Sequence, residues 1–176
     1  DDLALKIQEI REATNGEIPI QLKLGAARVY DDVRMAAKTG PDSIYIDGME
    51  GGTGAGPHIA TEETGVPGIA AIRQARKALD DVGKTGEISL VYAGGIRNGA
   101  DVAKALALGV DAVSIGTAAL VALGDNDPRW EAEYNELGTT AGAYDDWHEG
   151  RDPAGITTQD PELMKRVDPV AAGRRL

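Results

Sequence analysis

The sequence predicts an α/β fold: half of a (β/α)8 barrel, four strands each followed by helix, with a loop-rich C-terminal extension. Three observations predict it. Short β-rich runs alternate with helical stretches, as βα units on a parallel sheet do. The first, second and fourth strands each have one apolar face and one small or polar face, whereas a doubly wound sheet, covered on both sides, reads apolar on both. And only four strands are found in the 176 residues, where a closed barrel of this type has eight.

The elements follow in order. DDLALKIQEIREA sets Leu3, Ile7, Ile10 and Ala13 on one helical stripe. IPIQLKL, Ile18 to Leu24, reads as the first strand, with Ile18, Ile20, Leu22 and Leu24 on one face and Gln21 and Lys23 on the other. VYDDVRMAAKTG is a helix ended by Gly40. SIYID, Ser43 to Asp47, is the second strand, with Ile44 and Ile46 opposing Tyr45 and Asp47. After a glycine-rich loop, GIAAIRQARKALDDVG is the strongest helix, with Ile69, Ile72, Ala75, Ala78, Leu79 and Val82 on or near one face. ISLVYA (Ile88 to Ala93), a short helix GADVAKALALG, and DAVSIG (Asp111 to Gly116) complete the strands, and TAALVALG adds a helical turn or two. Residues 1–124 are thus expected to form the half-barrel and 125–176 an extension packed on it. In that extension Asp160-Pro161 and Asp168-Pro169 mark helix starts. Trp130, Tyr144 and Trp147 are expected to pin it to the core. The chain opens without Met on a helical stripe and closes in a helical pattern, which suggests a piece of something longer.

Composition excludes several function classes. The net charge is −11, which argues against a nucleic-acid or anionic-membrane binder, since both require a basic face. It leaves room for an anionic small ligand, because a few amides and one lysine suffice for a phosphate. Cysteine is absent, so this chain contributes no disulfide, no thiolate catalysis and no iron–sulfur ligand. No apolar run approaches the roughly 18 residues of a membrane span, no signal peptide is visible, and a cytoplasmic location is the expectation.

Chemistry concentrates at the strand ends. YAGGIRN places Gly94 and Gly95 just past the third strand, and IGTAAL places Gly116 and Thr117 just past the fourth, both before helix starts. Glycine allows close backbone approach, and free amides there attract phosphate. Barrels of this type often hold phosphate after their last two strands. Each turn alone reads equally well as a tight βα connection requiring positive φ. Lys23 lies on the inward parity near the end of its strand, where it either meets an electron-rich ligand or pairs with an inner acid. Asp47 and Glu50 bracket the start of DGMEGGTGAGP and are candidates for acid–base work or cation binding, or are simply turn caps. His58 is a lone loop histidine. Asp145, Asp146, His148 and Glu149 crowd together without a known metal-ligand spacing, and no metal is assigned to them.

Several segments together, IQLKLG, DGMEGGTGAGP, AGGIRNGADVAKALALGVDAVSIGTAALVALG and DPAGITTQDPELMKRVDP, resemble the FMN-binding synthase domain of glutamate synthases and the related N-methylglutamate synthase subunit. The likeness runs from about Asp1 to Asp168. It implies the second half, strands 5–8, of an FMN-type (β/α)8 TIM barrel. It implies Lys23 as the strand-5 lysine over the flavin, Gly94, Gly95, Gly116 and Thr117 on the FMN phosphate, and Gly51, Gly52 and Thr53 against the flavin and substrate pocket. Taken with the two loop carboxylates read above, Lys23, Asp47 and Glu50 are the catalytic candidates. The implied activity is reductive conversion of a 2-imino acid made from 2-oxoglutarate and ammonia or an amine. The implied partners are 2-oxoglutarate or glutamate, an amine, a complementary half-barrel and sister subunits.

Departures from the pattern matter. The family's three-iron cluster uses cysteines in the tail region; here that place reads DPAG, with Asp152 and no cysteine. A His-Asp pair common in the family's glycine loop is Met49-Glu50 here. The cluster-free relatives are on the N-methylglutamate synthase side. Two other readings stay open: a non-catalytic flavin- or phosphate-binding half-barrel subunit that needs a partner, and a barrel enzyme acting on a sugar or nucleotide phosphate.

Overall fold

The computed structural model describes residues 2–51, 59, 63–137 and 151–176. The chain forms two compact units, the first reaching Ser114 and the second carrying Ile115 to Leu176. In the first, helix α1 (Asp2–Ala13) precedes strand β1 (Gln21–Gly25), followed by α2 (Val29–Ala37), β2 (Ser43–Asp47), α3 (Gly68–Asp81), β3 (Ser89–Ala93), α4 (Gly99–Leu108) and β4 (Ala112–Ser114). The four strands lie in chain order β1-β2-β3-β4 and every pairing is parallel. This is the (β/α)4 half-barrel arrangement that the alternation predicts.

The face assignment explains the order. Ile44, Ile46, Leu90 and Tyr92 are buried together with Val29, Val33, Ala36, Ala71, Ile72, Ala75 and Leu79 from α2 and α3, and Leu22, Leu24 and Val113 pack against that core. Small alanines on the helices bring them close to the sheet, and the β-branched strand residues fill the space between. The opposite parity carries Gln21, Lys23, Tyr45, Asp47, Ser89 and Ser114, and it bears the polar chemistry.

Two strand boundaries differ from the sequence expectation by more than one residue. The first strand begins at Gln21, not Ile18, because Ile20 is already engaged: its N–H donates to the Asp42 carboxylate at 2.6 Å and its carbonyl accepts from Asp42 and Ser43. The fourth ends at Ser114, not Gly116, because β3 turns away after Ala93 and offers no further partner.

The first unit also contains a repeated device. Arg11 donates to the Gly40 carbonyl and the Asp42 carboxylate, and Asp42 accepts the Ile20 N–H. In the same way Arg76 donates to the Gly109 carbonyl and the Asp111 carboxylate, and Asp111 accepts the Leu90 N–H. The stretches around them align at a constant spacing: Gly25 with Gly94, Arg28 with Arg97, Asp32 with Asp101, Val33 with Val102, Ala36 with Ala105, Gly40 with Gly109 and Asp42 with Asp111. The unit is therefore two copies of an α-β-α-β module. The Ile20 N–H, and after it the Arg11 guanidinium, hold the Asp42 carboxyl below its ordinary range.

In the second unit, α5 (Thr117–Leu123) has its last carbonyls met by Arg175, whose Nε donates to Ala122 at 2.7 Å. A 3-10 turn (Pro128–Trp130) leads into α6 (Glu131–Leu137), and α7 (Pro161–Met164) and α8 (Pro169–Gly173) follow. Asp160 and Asp168 cap the last two through their side chains, as the Asp-Pro pairs predict. The α6 helix corrects the reading of this stretch as loop: EAEYNEL has too few apolar residues to show a helical period, yet it buries Tyr134. Trp130 stacks under the Arg166 guanidinium at 4.2 Å, and Arg166 also donates to Glu133 and the Pro153 carbonyl.

Candidate functional site

The C-terminal ends of β1, β2 and β3 place the predicted residues together. Lys23 projects from the polar face of β1 and its Nζ lies 2.8 Å from Asp47 Oδ2 at the end of β2. The lysine side chain is 62% exposed and the aspartate 11%. The pair joins a mobile, hydrated cation to a fixed, nearly buried carboxylate, and such half-exposed pairs add little stability. The other Asp47 oxygen, Oδ1, is buried without a hydrogen-bond partner among the described residues. It is walled in by backbone: a Cβ on Gly51 would stand 1.9 Å from it, and one on Gly94 3.1 Å. Glycine at these two positions is what allows the β2 and β3 ends to close over the carboxylate.

Glu50 is held differently. Its carboxylate accepts the Gly68 N–H at the start of α3, at 3.1 Å. That bond places a negative charge at the positive end of a helix, while Met49 N–H donates to the Val66 carbonyl. The segment leaving β2 and the one entering α3 are thereby tied at their base. The β2 turn is in turn fixed to β3 by the Gly48 N–H on the Ala93 carbonyl at 3.1 Å. Gly94 and Gly95 then run at φ +101 and +70, and a Cβ on Gly95 would touch Glu50. Lys23, Asp47, Glu50, Gly51, Gly94 and Gly95 are thus brought into one cluster.

Two members of this cluster escaped sequence reasoning. Tyr92, from the buried face of β3, fills the space a Gly68 side chain would need, its Cε2 2.3 Å from the Cβ position. Burial, and after it the negative fields of Glu50, Asp47 and Asp101, push its phenol up to about 12. Gly68 carried a usable signal, a glycine opening a strongly amphipathic helix; Tyr92 reads only as a core strand residue.

The remaining expectations fall elsewhere. Gly116 stands before α5 in the second unit with open space around its Cα and no side-chain cap, and Thr117 is the first residue of that helix. Gly52, Thr53, His58, Tyr144, Trp147 and the Asp145–Glu149 group lie outside the described residues. Among the described residues no cluster of three or more His, Cys, Asp or Glu has metal-binding geometry. None of the helices described is long and apolar enough to cross a membrane.

Asp152, in the DPAG stretch, centres a compact turn in the second unit. Its carboxylate accepts N–H bonds from Ala154, Ile156 and Thr157 at 2.7–3.0 Å and a hydroxyl contact from Tyr134 at 2.9 Å. Burial raises its pKa, and the bonds from Thr157, Tyr134, Ala154 and Ile156 outweigh burial and leave it below the ordinary value. A carboxylate here organises backbone that would otherwise carry orphaned donors.

A family described as "Conserved region in glutamate synthase" matches residues 1–129. The chain is 65% identical, over 100% of its own length and 40% of the other, to a "Glutamate synthase large subunit-like protein" of Rhizobium meliloti (strain 1021). It is 43% identical, over 99% of its length and 32% of the other, to an "Archaeal-type glutamate synthase (NADPH)" of Thermotoga neapolitana. Among solved structures, FabK from Thermotoga maritima superposes with a TM-score of 0.48 at 26% identity, covering 65% of this chain and 32% of that one. The chain therefore spans well under half the length of these relatives.

Proposed function

The chain belongs to the glutamate synthase family, and from that premise we propose that it supplies the FMN-bearing half of a glutamate synthase-like oxidoreductase. The reaction is amination of 2-oxoglutarate, or exchange between methylamine and glutamate to give N-methylglutamate. The observation that carries the reading is the Lys23–Asp47 pair standing beside the glycine turn of Gly94 and Gly95 at the ends of adjacent parallel strands. Active sites of (β/α)8 barrels lie at that end.

The residues fit an anionic, planar cofactor. Lys23 presents an exposed ammonium, and Gly51 and Gly94 let the β2 and β3 ends close around the Asp47 carboxylate that meets it. FMN, when bound, supplies the hydride. Lys23 would supply positive charge to the reduced ring, and Asp47, 2.8 Å from its Nζ, would aim that ammonium. Gly94 and Gly95 offer backbone to the phosphate, with Gly116 and Thr117 as further phosphate contacts on the strength of the resemblance. By the same resemblance Gly51, Gly52 and Thr53 are the proposed contacts for ring and substrate. Glu50, bonded to the Gly68 N–H, fixes the start of the loop that carries them. With no cysteine in the chain, electrons reach the site through groups held elsewhere. A complementary half-barrel and sister subunits are the proposed partners.

The test is the visible spectrum of the full-length protein. A flavin band, with FMN released on denaturation, supports the reading, and Lys23→Met should slow flavin reduction more than it lowers FMN content. A colourless protein that fails to take up added FMN refutes it and favours the sugar- or nucleotide-phosphate alternative.

A further inference from the structure

We propose that Arg28 recognises a substrate carboxylate and is the residue that selects a dicarboxylic ligand over a monocarboxylic one. This rests on the reading above of the β1–β2 end as a site for a small organic acid, and it adds a residue that neither motif nor resemblance assigns.

Arg28 lies in the loop between β1 and α2, and that loop is fixed to the site. The Ala26 N–H donates to the Asp47 carbonyl at 2.8 Å, and the Ala26 carbonyl accepts the Val66 N–H at 2.8 Å. Ala26 itself is 3% exposed. The arginine therefore starts from rigid backbone at the rim that carries Lys23 and Asp47.

The repeated module shows what is unusual about it. Arg97 occupies the same place in the second copy, and there Asp101 neutralises it: the Asp101 carboxylate accepts both the Arg97 N–H and its Nε, each at 3.2 Å. Asp32 stands at the matching position from Arg28. Yet the exposed Arg28 side chain makes no hydrogen bond or ion pair with any described residue. Helix stability does not account for it either. Arg28 sits at the N-cap of α2 without capping it, where the helix dipole opposes a cation.

The chemistry points to a carboxylate. A guanidinium matches a carboxylate with two parallel N–H donors, and a lysine meets it as a point charge. Lys23 is already drawn toward Asp47. In a chain of net charge −11, a ligand with two negative groups needs a second cation near the first, because the surrounding field otherwise repels it. Arg28 is placed to supply it for the carboxylate remote from the reacting carbon.

Calorimetric titration of the full-length protein with glutarate and with pentanoate, which differ by one carboxylate, tests this without turnover. The wild type should bind glutarate at least about tenfold more tightly, and Arg28→Gln should weaken glutarate by about tenfold to a hundredfold. Pentanoate binding and flavin content should not change, and Arg28→Lys should fall between. The proposal is overturned if the wild type shows no preference for glutarate, if Arg28→Gln binds glutarate as the wild type does, or if that variant loses both acids alike. The two readings fail separately. A flavin-free wild type that binds glutarate through Arg28 refutes only the oxidoreductase, and a flavin-loaded protein indifferent to Arg28→Gln refutes only this inference.

Discussion

Gly51→Ala tests whether the β2 and β3 ends are closed over the Asp47 carboxylate as described. The new Cβ would stand 1.9 Å from Asp47 Oδ1, 2.9 Å from its Cγ and 3.0 Å from the Gly94 Cα. Ordinary carbon contacts begin at about 3.5 Å, so something must move by well over an ångström. The Gly94 backbone is held through the β2–β3 register and the Gly48–Ala93 bond. The carboxylate is the part that yields, and turning it breaks the 2.8 Å contact with Lys23. Forcing a methyl into packed surroundings costs about 1–3 kcal/mol. With a urea m-value of about 2 kcal/mol per molar, the unfolding midpoint falls by about 1 M. Far-UV circular dichroism is the probe to use, because the two tryptophans, Trp130 and Trp147, both lie beyond Ser114 in the chain. The decisive comparison is a double-mutant cycle with Asp47→Ala. Without the carboxylate the methyl meets only the Gly94 backbone, so Gly51→Ala should cost less in that background, though not nothing. An equal cost with and without the carboxylate refutes the packing described.

Three further outcomes are expected. Glu50→Ala removes the acceptor for the Gly68 N–H and should destabilise by about 1 kcal/mol, while Glu50→Gln, which keeps an acceptor oxygen, should recover most of it in denaturant melts. In a phenolate absorbance titration, Tyr92 should ionise only at about 12, and Tyr92→Phe should remove amplitude from the high-pH end alone; a loss near the ordinary tyrosine value of about 10 contradicts its burial. Asp152, whose pKa is lowered in the fold, stabilises fully above the unfolded carboxylate value of about 3.9 and loses that contribution as pH falls through its lower folded value. Asp152→Ala should therefore cost about 2–3 kcal/mol at neutral pH and flatten the acid limb of the stability profile, and an unchanged limb counts against the bonded turn.

How much of this was legible in the sequence depended on range. Strand parity alone sets Lys23 and Asp47 on one face, and strand-end glycines locate the Gly94–Gly95 turn, because both signals are local. The Glu50 bond was not legible: its partner, Gly68, lies across a loop whose course no period fixes. The Asp42 and Asp111 anchors were also missed as chemistry, although the matching GPDSIYI and GVDAVSI stretches carry the repeat openly. The α6 helix was invisible for the opposite reason, since EAEYNEL offers one buried side chain and no stripe. Met49 has a backbone role that no local pattern shows, its N–H on the Val66 carbonyl.

Anaerobic reoxidation puts the proposed flavin half-site, reducing a substrate derived from 2-oxoglutarate, to its most direct test. The full-length protein is reduced, mixed with 2-oxoglutarate and either ammonia or methylamine, and its flavin band followed while the amino acid formed is assayed. The band should return in step with one glutamate or N-methylglutamate per flavin, and more slowly in Lys23→Met. A flavin that stays reduced with every amine, or a protein with no flavin to reduce, contradicts it.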